Sequence, residues 1–196
     1  MAKSDPASAK KERAKAVKWV ITIFFVTIFI SGTISLLSDV LMENSTMAVA
    51  FLILLVIILV GIIFDIIGMA VATADEKPFH SMAARKVPGA QESIRLLRNA
   101  ERVSSICNDV VGDICGVVSG SASATIAAQI LRNFEFTWPQ FISLAMSALA
   151  AGLTVGGKAI GKSFAVNSCT AIVHTVGKVL YALNHFPDSF RKKKKK

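Results

Sequence analysis

The stretch from Met47 to Phe64 consists almost entirely of leucine, isoleucine, valine and phenylalanine, and it contains no charged residue. A run of this kind, continued to about residue 74, is long enough to cross the hydrocarbon core of a bilayer as a helix. Three further stretches meet the same requirement, at about residues 19–37, 104–131 and 137–157. Because only helices and closed barrels satisfy their backbone in lipid, the sequence predicts an all-α, polytopic helix bundle with about four spans.

Composition and charge support an integral membrane protein over a single soluble domain. The chain has 196 residues, 53% of them hydrophobic, with a net charge of +9 and a mean hydropathy of +0.57. The basic residues are concentrated in tails at residues 1–18 and 187–196 and in an interior segment at 75–104. The positive-inside rule places these segments, and both termini, in the cytosol. We expect the tails to bind anionic headgroups, and we expect no nucleic-acid partner.

The interior basic segment is predicted to form juxtamembrane helices at about residues 79–99. Pro78 and Pro88-Gly89 divide it into two short helices, because proline and glycine punctuate helical segments. A further juxtamembrane helix is predicted at about 163–186, since a fifth span there would place the lysine-rich tail outside. The glycine-rich segment from Gly156 to Lys162 is predicted to break the fourth span before it.

The third span carries polar residues that a lipid-facing helix does not need. Asp109 and Asp113 fall, at α-helical spacing, on one face with the glycines of a G-x-x-x-G pattern. The glycines that we expect to pack against another helix are Gly112, Gly116 and Gly120. The fourth span is rich in small residues, so we expect it to cover this glycine ridge, with the acids facing it.

Ionisable residues at membrane depth are candidate functional residues because burying a charge in lipid is costly. The candidate metal ligands are Asp65, Asn108, Asp109 and Asp113, with Ser119 and Lys158 as modulating residues. Carboxylate, amide and hydroxyl oxygens suit a hard cation, so we expect Mg²⁺ or, alternatively, Na⁺. Two other interpretations stay open: Asp65 lies near an interface as a snorkelling acid, or Lys158 neutralises Asp109 or Asp113 in a structural ion pair.

An enzyme is not predicted, because the sequence has no P-loop, no H-E-x-x-H and no G-x-S-x-G motif. No organic cofactor is expected. The cysteines are interpreted as small core residues, since they are three in number and lack C-x-x-C spacing. They are Cys107, Cys115 and Cys169.

Four segments in order resemble motifs of a known family. They are I-F-D-I-I-G-M-A-V at 63–71, P-G-A with L-L-R-N at 88–99, I-C-N-D at 106–109 and G-K-A-I-G-K-S-F-A at 157–165. In this order and spacing, residues 60 to 186 resemble the membrane domain of the CorC and cyclin-M family of magnesium transporters. That domain typically has F-S-x-S-E-T-A, N-P-x-R, G-N-N and G-E-I-x-P-K-x-x-A.

The resemblance implies a homodimer that holds a cation near the middle of the bilayer. Asp65 then stands in place of a serine, Asn108 matches an asparagine, and Asp109 stands in place of a second asparagine. Two positions depart from the pattern, since Gly68 replaces the glutamate of the first motif and Lys158 replaces that of the last. The nucleotide-sensing domains that follow the membrane domain in the family have no counterpart in these 196 residues.

Two functions are therefore predicted. The first is a membrane ion-transport protein of the magnesium-transporter type. The alternative is a non-transporting accessory or scaffold protein of the same fold, in which Lys158 neutralises the site and the basic surfaces bind lipid or a cytosolic or membrane partner protein.

Overall fold

The computed structural model describes residues 6–43, 45–134 and 138–193. Within these ranges the chain is helical apart from short connections, and it contains no β-strand. The helices are α1 Pro6–Glu43, α2 Met47–Thr73, α3 Lys77–Ala84, α4 Ala90–Arg98, α5 Ala100–Ser105, a π-helical segment Ile106–Gly112, α6 Asp113–Asn133, α7 Pro139–Asn167 and α8 Cys169–Lys193. The all-α prediction is confirmed.

Four of these helical stretches are long and apolar enough to cross a membrane. They are Val17–Met42 within α1, the whole of α2, the continuous stretch Ala100–Asn133 from α5 to α6, and the whole of α7. The prediction of four candidate spans is therefore confirmed. It follows from local composition, because each stretch has enough consecutive apolar residues for the hydrocarbon thickness.

Contacts between the spans show their relative directions. Arg102 lies over the ring of Trp19 at 5.6 Å, and at the other end of the bundle Gln129 donates a hydrogen bond to the Met42 carbonyl. Helix α1 and the α5–α6 stretch are thus parallel. Helix α7 is parallel to α2, since Gly157 lies at Ile62 and Gly161 lies one turn further, at Ile66.

The predicted break in the fourth span is wrong. The segment from Gly156 to Lys162 lies inside α7, and the helix ends only after Asn167. A Cβ atom on Gly157 would collide with the Ile62 side chain, and one on Gly161 would meet Ile66 at 2.7 Å. These two glycines let α7 approach α2 closely, and the intrahelical bonds of α7 are kept.

Two predicted boundaries also differ from the structure. Helix α1 begins at Pro6 and ends at Glu43, so it includes most of the predicted 1–18 tail and extends beyond residue 37. Helix α8 continues to Lys193, into the predicted 187–196 tail. Alanine, lysine, glutamate and arginine between 6 and 18 are good helix formers, which explains the longer α1. Residues 1–5, 194–196 and the predicted start of the fourth span at 137 lie outside the described residues.

Three short helices, α3, α4 and α5, and the longer α8 pack at one end of the bundle, which we call the basic end. The predicted pair at 79–99 is present as α3 and α4, and the one at 163–186 as α8, although residues 163–167 belong to α7. Ser93 Oγ donates to the Val173 carbonyl at 3.2 Å, which joins α4 to α8. Gly89, in the left-handed region at φ 85°, lies against the backbone of Lys178.

Candidate functional site

Lys158 connects three elements at the middle of the bundle. Its Nζ donates a hydrogen bond to the Gly112 carbonyl at 3.2 Å. The same nitrogen lies 3.7 Å from Oδ1 of Asp65 and 3.8 Å from Oδ1 of Asp113. Helices α2, α6 and α7 thus meet at one ammonium, and we call Asp65, Gly112, Asp113 and Lys158 the polar centre.

The two carboxylates of the polar centre differ in burial. The side chain of Asp65 is 6% exposed, whereas that of Asp113 is 73% exposed. One oxygen of Asp65, Oδ2, is buried and has no hydrogen-bond partner. A buried acceptor without a partner is uncommon in proteins and requires an explanation, such as an ion or a water.

The π-helical segment from Ile106 to Gly112 borders the polar centre and contributes the Gly112 carbonyl to it. A π-helix inserts an extra residue into a turn and often occurs at functional sites. Asn108, within this segment, donates from Nδ2 to Ser104 Oγ at 3.3 Å. Its Oδ1 is buried and has no hydrogen-bond partner, and it lies against the face of α2 where Gly68 has no side chain.

Asp109 and Ser119 make contacts within their own helices. Asp109 is exposed and accepts a hydrogen bond at 2.8 Å from the Ser105 hydroxyl. Ser119 is buried and donates to the Gly116 carbonyl at 2.8 Å. The structure therefore brings Lys158 together with Asp65 and Asp113, and it orients Asp109 and Ser119 elsewhere.

Of the predicted contacts of a helix with the glycine ridge, the structure has within this chain only the one at Gly112. A Cβ atom on Gly116 or on Gly120 would meet nothing within 4 Å. Gly112 alone of the three lies in a close contact, where a Cβ would stand 3.2 Å from Lys158 Nζ. Gly116 and Gly120 lie within α6 at α-helical spacing from Asp113, whose side chain is 73% exposed, so this face of α6 is left uncovered.

The structure adds participants that the sequence pattern did not reveal. The Gly112 carbonyl accepts from Lys158, but the sequence gives no signal for a backbone acceptor. The pairing of Lys158 with Asp65 was also not predicted, because it depends on the parallel packing of α2 and α7. Among the described residues, no three or more His, Cys, Asp or Glu side chains are grouped so that they could hold a metal ion.

Comparison with protein-family models, with curated proteins and with solved structures finds no match to this chain.

Proposed function

We propose that this chain is an integral membrane ion-transport protein in which a cation binds at the polar centre and competes there with the Lys158 ammonium. The observation that carries the proposal is the pair of buried, unpartnered oxygens, Asp65 Oδ2 and Asn108 Oδ1. Asp65 lies near Gly112 and Asn108 lies against Gly68, so both residues are in the interface between α2 and the π-helical segment. Carboxylate and amide oxygens are ligands for hard cations, so Mg²⁺ is the proposed substrate and Na⁺ the alternative.

The charge of the polar centre favours a cation. Two carboxylates, Asp65 and Asp113, surround one ammonium, so the formal sum is −1 when all three are ionised. The Gly112 carbonyl adds a further oxygen that points at the same place. A cation that displaces Lys158 would inherit these oxygens, and the open face at Asp113 gives a route to them.

The resemblance to the CorC and cyclin-M membrane domain is part of this proposal, as are the homodimer and the cytosolic termini. Gly68 replaces the glutamate of the family's first motif, and a side chain here would collide with Asn108 Oδ1. Asp65 lies one turn earlier on α2 and is buried at the same interface. In our proposal, Asp65 supplies the carboxylate that position 68 cannot hold.

A specific observation favours the alternative, a non-transporting accessory protein. The ammonium of Lys158 already stands within 4.0 Å of both carboxylates. A buried ion pair of this kind resists loss of one partner, since that leaves an uncompensated charge. In this case the polar centre fixes the helices relative to one another, and the basic end binds lipid or a partner protein.

The test is Mg²⁺ uptake into proteoliposomes, followed with an internal Mg²⁺ indicator. Asp65→Asn should abolish uptake while the wild-type protein transports. Lys162→Glu is the matched charge control for Lys158→Glu, because Lys162 is one turn further along α7 and is exposed. Loss of uptake in Lys158→Glu alone would make Lys158 part of a working site.

The opposite pattern would favour the alternative function. Absence of uptake in the wild-type protein, with uptake gained in Lys158→Glu, would mean that the native ammonium blocks the cation position. Melting temperatures in Mg²⁺, Ca²⁺, Na⁺ and choline at matched ionic strength give a second readout. A ligand at 100 times its dissociation constant adds about 2.7 kcal/mol to the folded state, and no cation-specific rise in the wild type would refute a cation site.

A further inference from the structure

An apolar cleft of about 440 Å³ lies between α2, the end of α7 and the first half of α8. Its walls include Ile63, Ile66, Ile67, Phe164, Ala171 and Ile172. Two hydroxyl side chains, Ser168 and Thr175, interrupt this apolar lining. Thr175 donates its hydroxyl hydrogen to the Ala171 carbonyl, so the cleft suits an apolar ligand of the size that such sites usually take.

The cleft lies at the depth of one membrane leaflet. Ile67 and Ile63 precede the end of α2 at Thr73 by 6 and 10 residues, which is roughly 9 to 15 Å along a helix. Half of the hydrocarbon core is about 15 Å thick. An apolar cleft at this depth on a spanning helix borders lipid chains.

The mouth of the cleft is apolar as well. Side chains beside it are exposed in this chain, among them Ile63 at 52% and Phe164 at 57%. On α8, Val179 and Leu183 continue the same side of the helix and are also exposed. The surface from the cleft along α8 is therefore suited to lipid.

Helix α8 is held in place by close contacts with α4. A Cβ atom on Gly177 would collide with Ser93 Oγ, and one on Gly89 would meet the backbone nitrogen of Lys178 at 2.6 Å. These contacts fix the position of α8, which forms one wall of the cleft.

Charge near the cleft identifies the kind of lipid. Between residues 136 and 187 the sequence has three lysines and no aspartate or glutamate. One of them, Lys158, belongs to the polar centre. Of the other two, Lys178 is exposed and lies one turn beyond Thr175 on the cleft side of α8, whereas Lys162 lies on the opposite side of α7 from Phe164. A positive charge beside the mouth of an apolar cleft complements an anionic headgroup.

We propose that this cleft binds an acyl chain of an anionic phospholipid, whose headgroup lies beside Lys178. The site is separate from the polar centre and does not depend on cation transport.

The test uses the full chain in detergent and measures its melting temperature with added dioleoyl phosphatidylglycerol, dioleoyl phosphatidylcholine or glycerol phosphate. Ala171→Trp fills the cleft, and Ala148→Trp, at an exposed position of α7 far from Phe164 and outside the lining, is the matched control. We expect phosphatidylglycerol to raise the melting temperature of the wild type and of Ala148→Trp by several degrees, and Ala171→Trp to lose this rise. If Ala171→Trp fails to fold, Ala171→Leu gives the same comparison with less added volume.

Lys178→Gln separates the headgroup from the chain. It should reduce the effect of phosphatidylglycerol to that of phosphatidylcholine. Equal effects of the two lipids on the wild type would refute the preference for an anionic headgroup. An undiminished rise in melting temperature in the folded Ala171 variants would refute binding in the cleft. An equal rise with glycerol phosphate would show that the acyl chain plays no part.

Discussion

Replacing Asp65 by asparagine is expected to destabilise the protein much more than replacing Asp113 by asparagine. Both substitutions keep the size and shape of the side chain and remove one negative charge. Both carboxylates lie at nearly the same distance from Lys158 Nζ, 3.7 Å and 3.8 Å. Burial is what differs, because the side chain of Asp65 is 6% exposed and that of Asp113 is 73% exposed.

The magnitude follows from how firmly each carboxylate is held beside the ammonium. At 3.7 Å and a dielectric constant of about 20, the attraction between Lys158 and Asp65 is about 4.5 kcal/mol. The exposed side chain of Asp113 is not enclosed by the protein and can turn away from Lys158. We expect a loss of about 3 kcal/mol for Asp65→Asn, at the lower end of the cost of breaking a buried pair, since Asp113 and the Gly112 carbonyl remain near the ammonium, and a clearly smaller loss for Asp113→Asn.

The measurement is the free energy of unfolding of the detergent-solubilised protein in increasing denaturing detergent. Asp109→Asn is the control, because Asp109 is exposed and bonds only within its helical turn to Ser105. In a Lys158→Met background the effect of Asp65→Asn should become much smaller, since the charge that Asp65 balances is gone. Equal losses for the Asp65 and Asp113 variants would refute the reasoning, as would an Asp65→Asn loss that does not change with Lys158→Met.

Two further predictions concern glycines. Gly68→Ala should lower the free energy of unfolding by about 1–3 kcal/mol through overpacking, because its Cβ would collide with Asn108. Gly116→Ala is the control and should be neutral or stabilising by up to about 1 kcal/mol, because a Cβ there meets nothing within 4 Å. Equal effects of the two substitutions would contradict the packing described here. Gly89 has a left-handed φ of 85° and contacts the backbone of Lys178, so Gly89→Ala should loosen the connection between α3 and α4. Limited proteolysis should then cleave this connection faster than in the wild type. An unchanged cleavage rate would show that α4 does not need this contact.

Local composition was sufficient to predict the helices, because each span needs only a run of apolar residues that matches the bilayer. The short helices α3 and α4 were also predictable, since Pro78 and Pro88-Gly89 mark their ends. Local composition could not predict which glycines lie in close helix contacts. Gly157 is packed against Ile62 and Gly116 is open, although both lie in similar apolar, small-residue surroundings in the sequence.

The sequence by itself determined that the chain is helical, that four stretches are able to cross a membrane, and that carboxylates lie within them. Tertiary structure decided which carboxylates meet Lys158. Asp65 joins the polar centre through the parallel packing of α2 and α7, and Asp109 is turned away in the π-helical segment. The length of an apolar stretch is a local property and can be compared directly with the thickness of the bilayer. The partner of a side chain depends instead on the rotation of each helix about its axis, which a single π-helical turn changes.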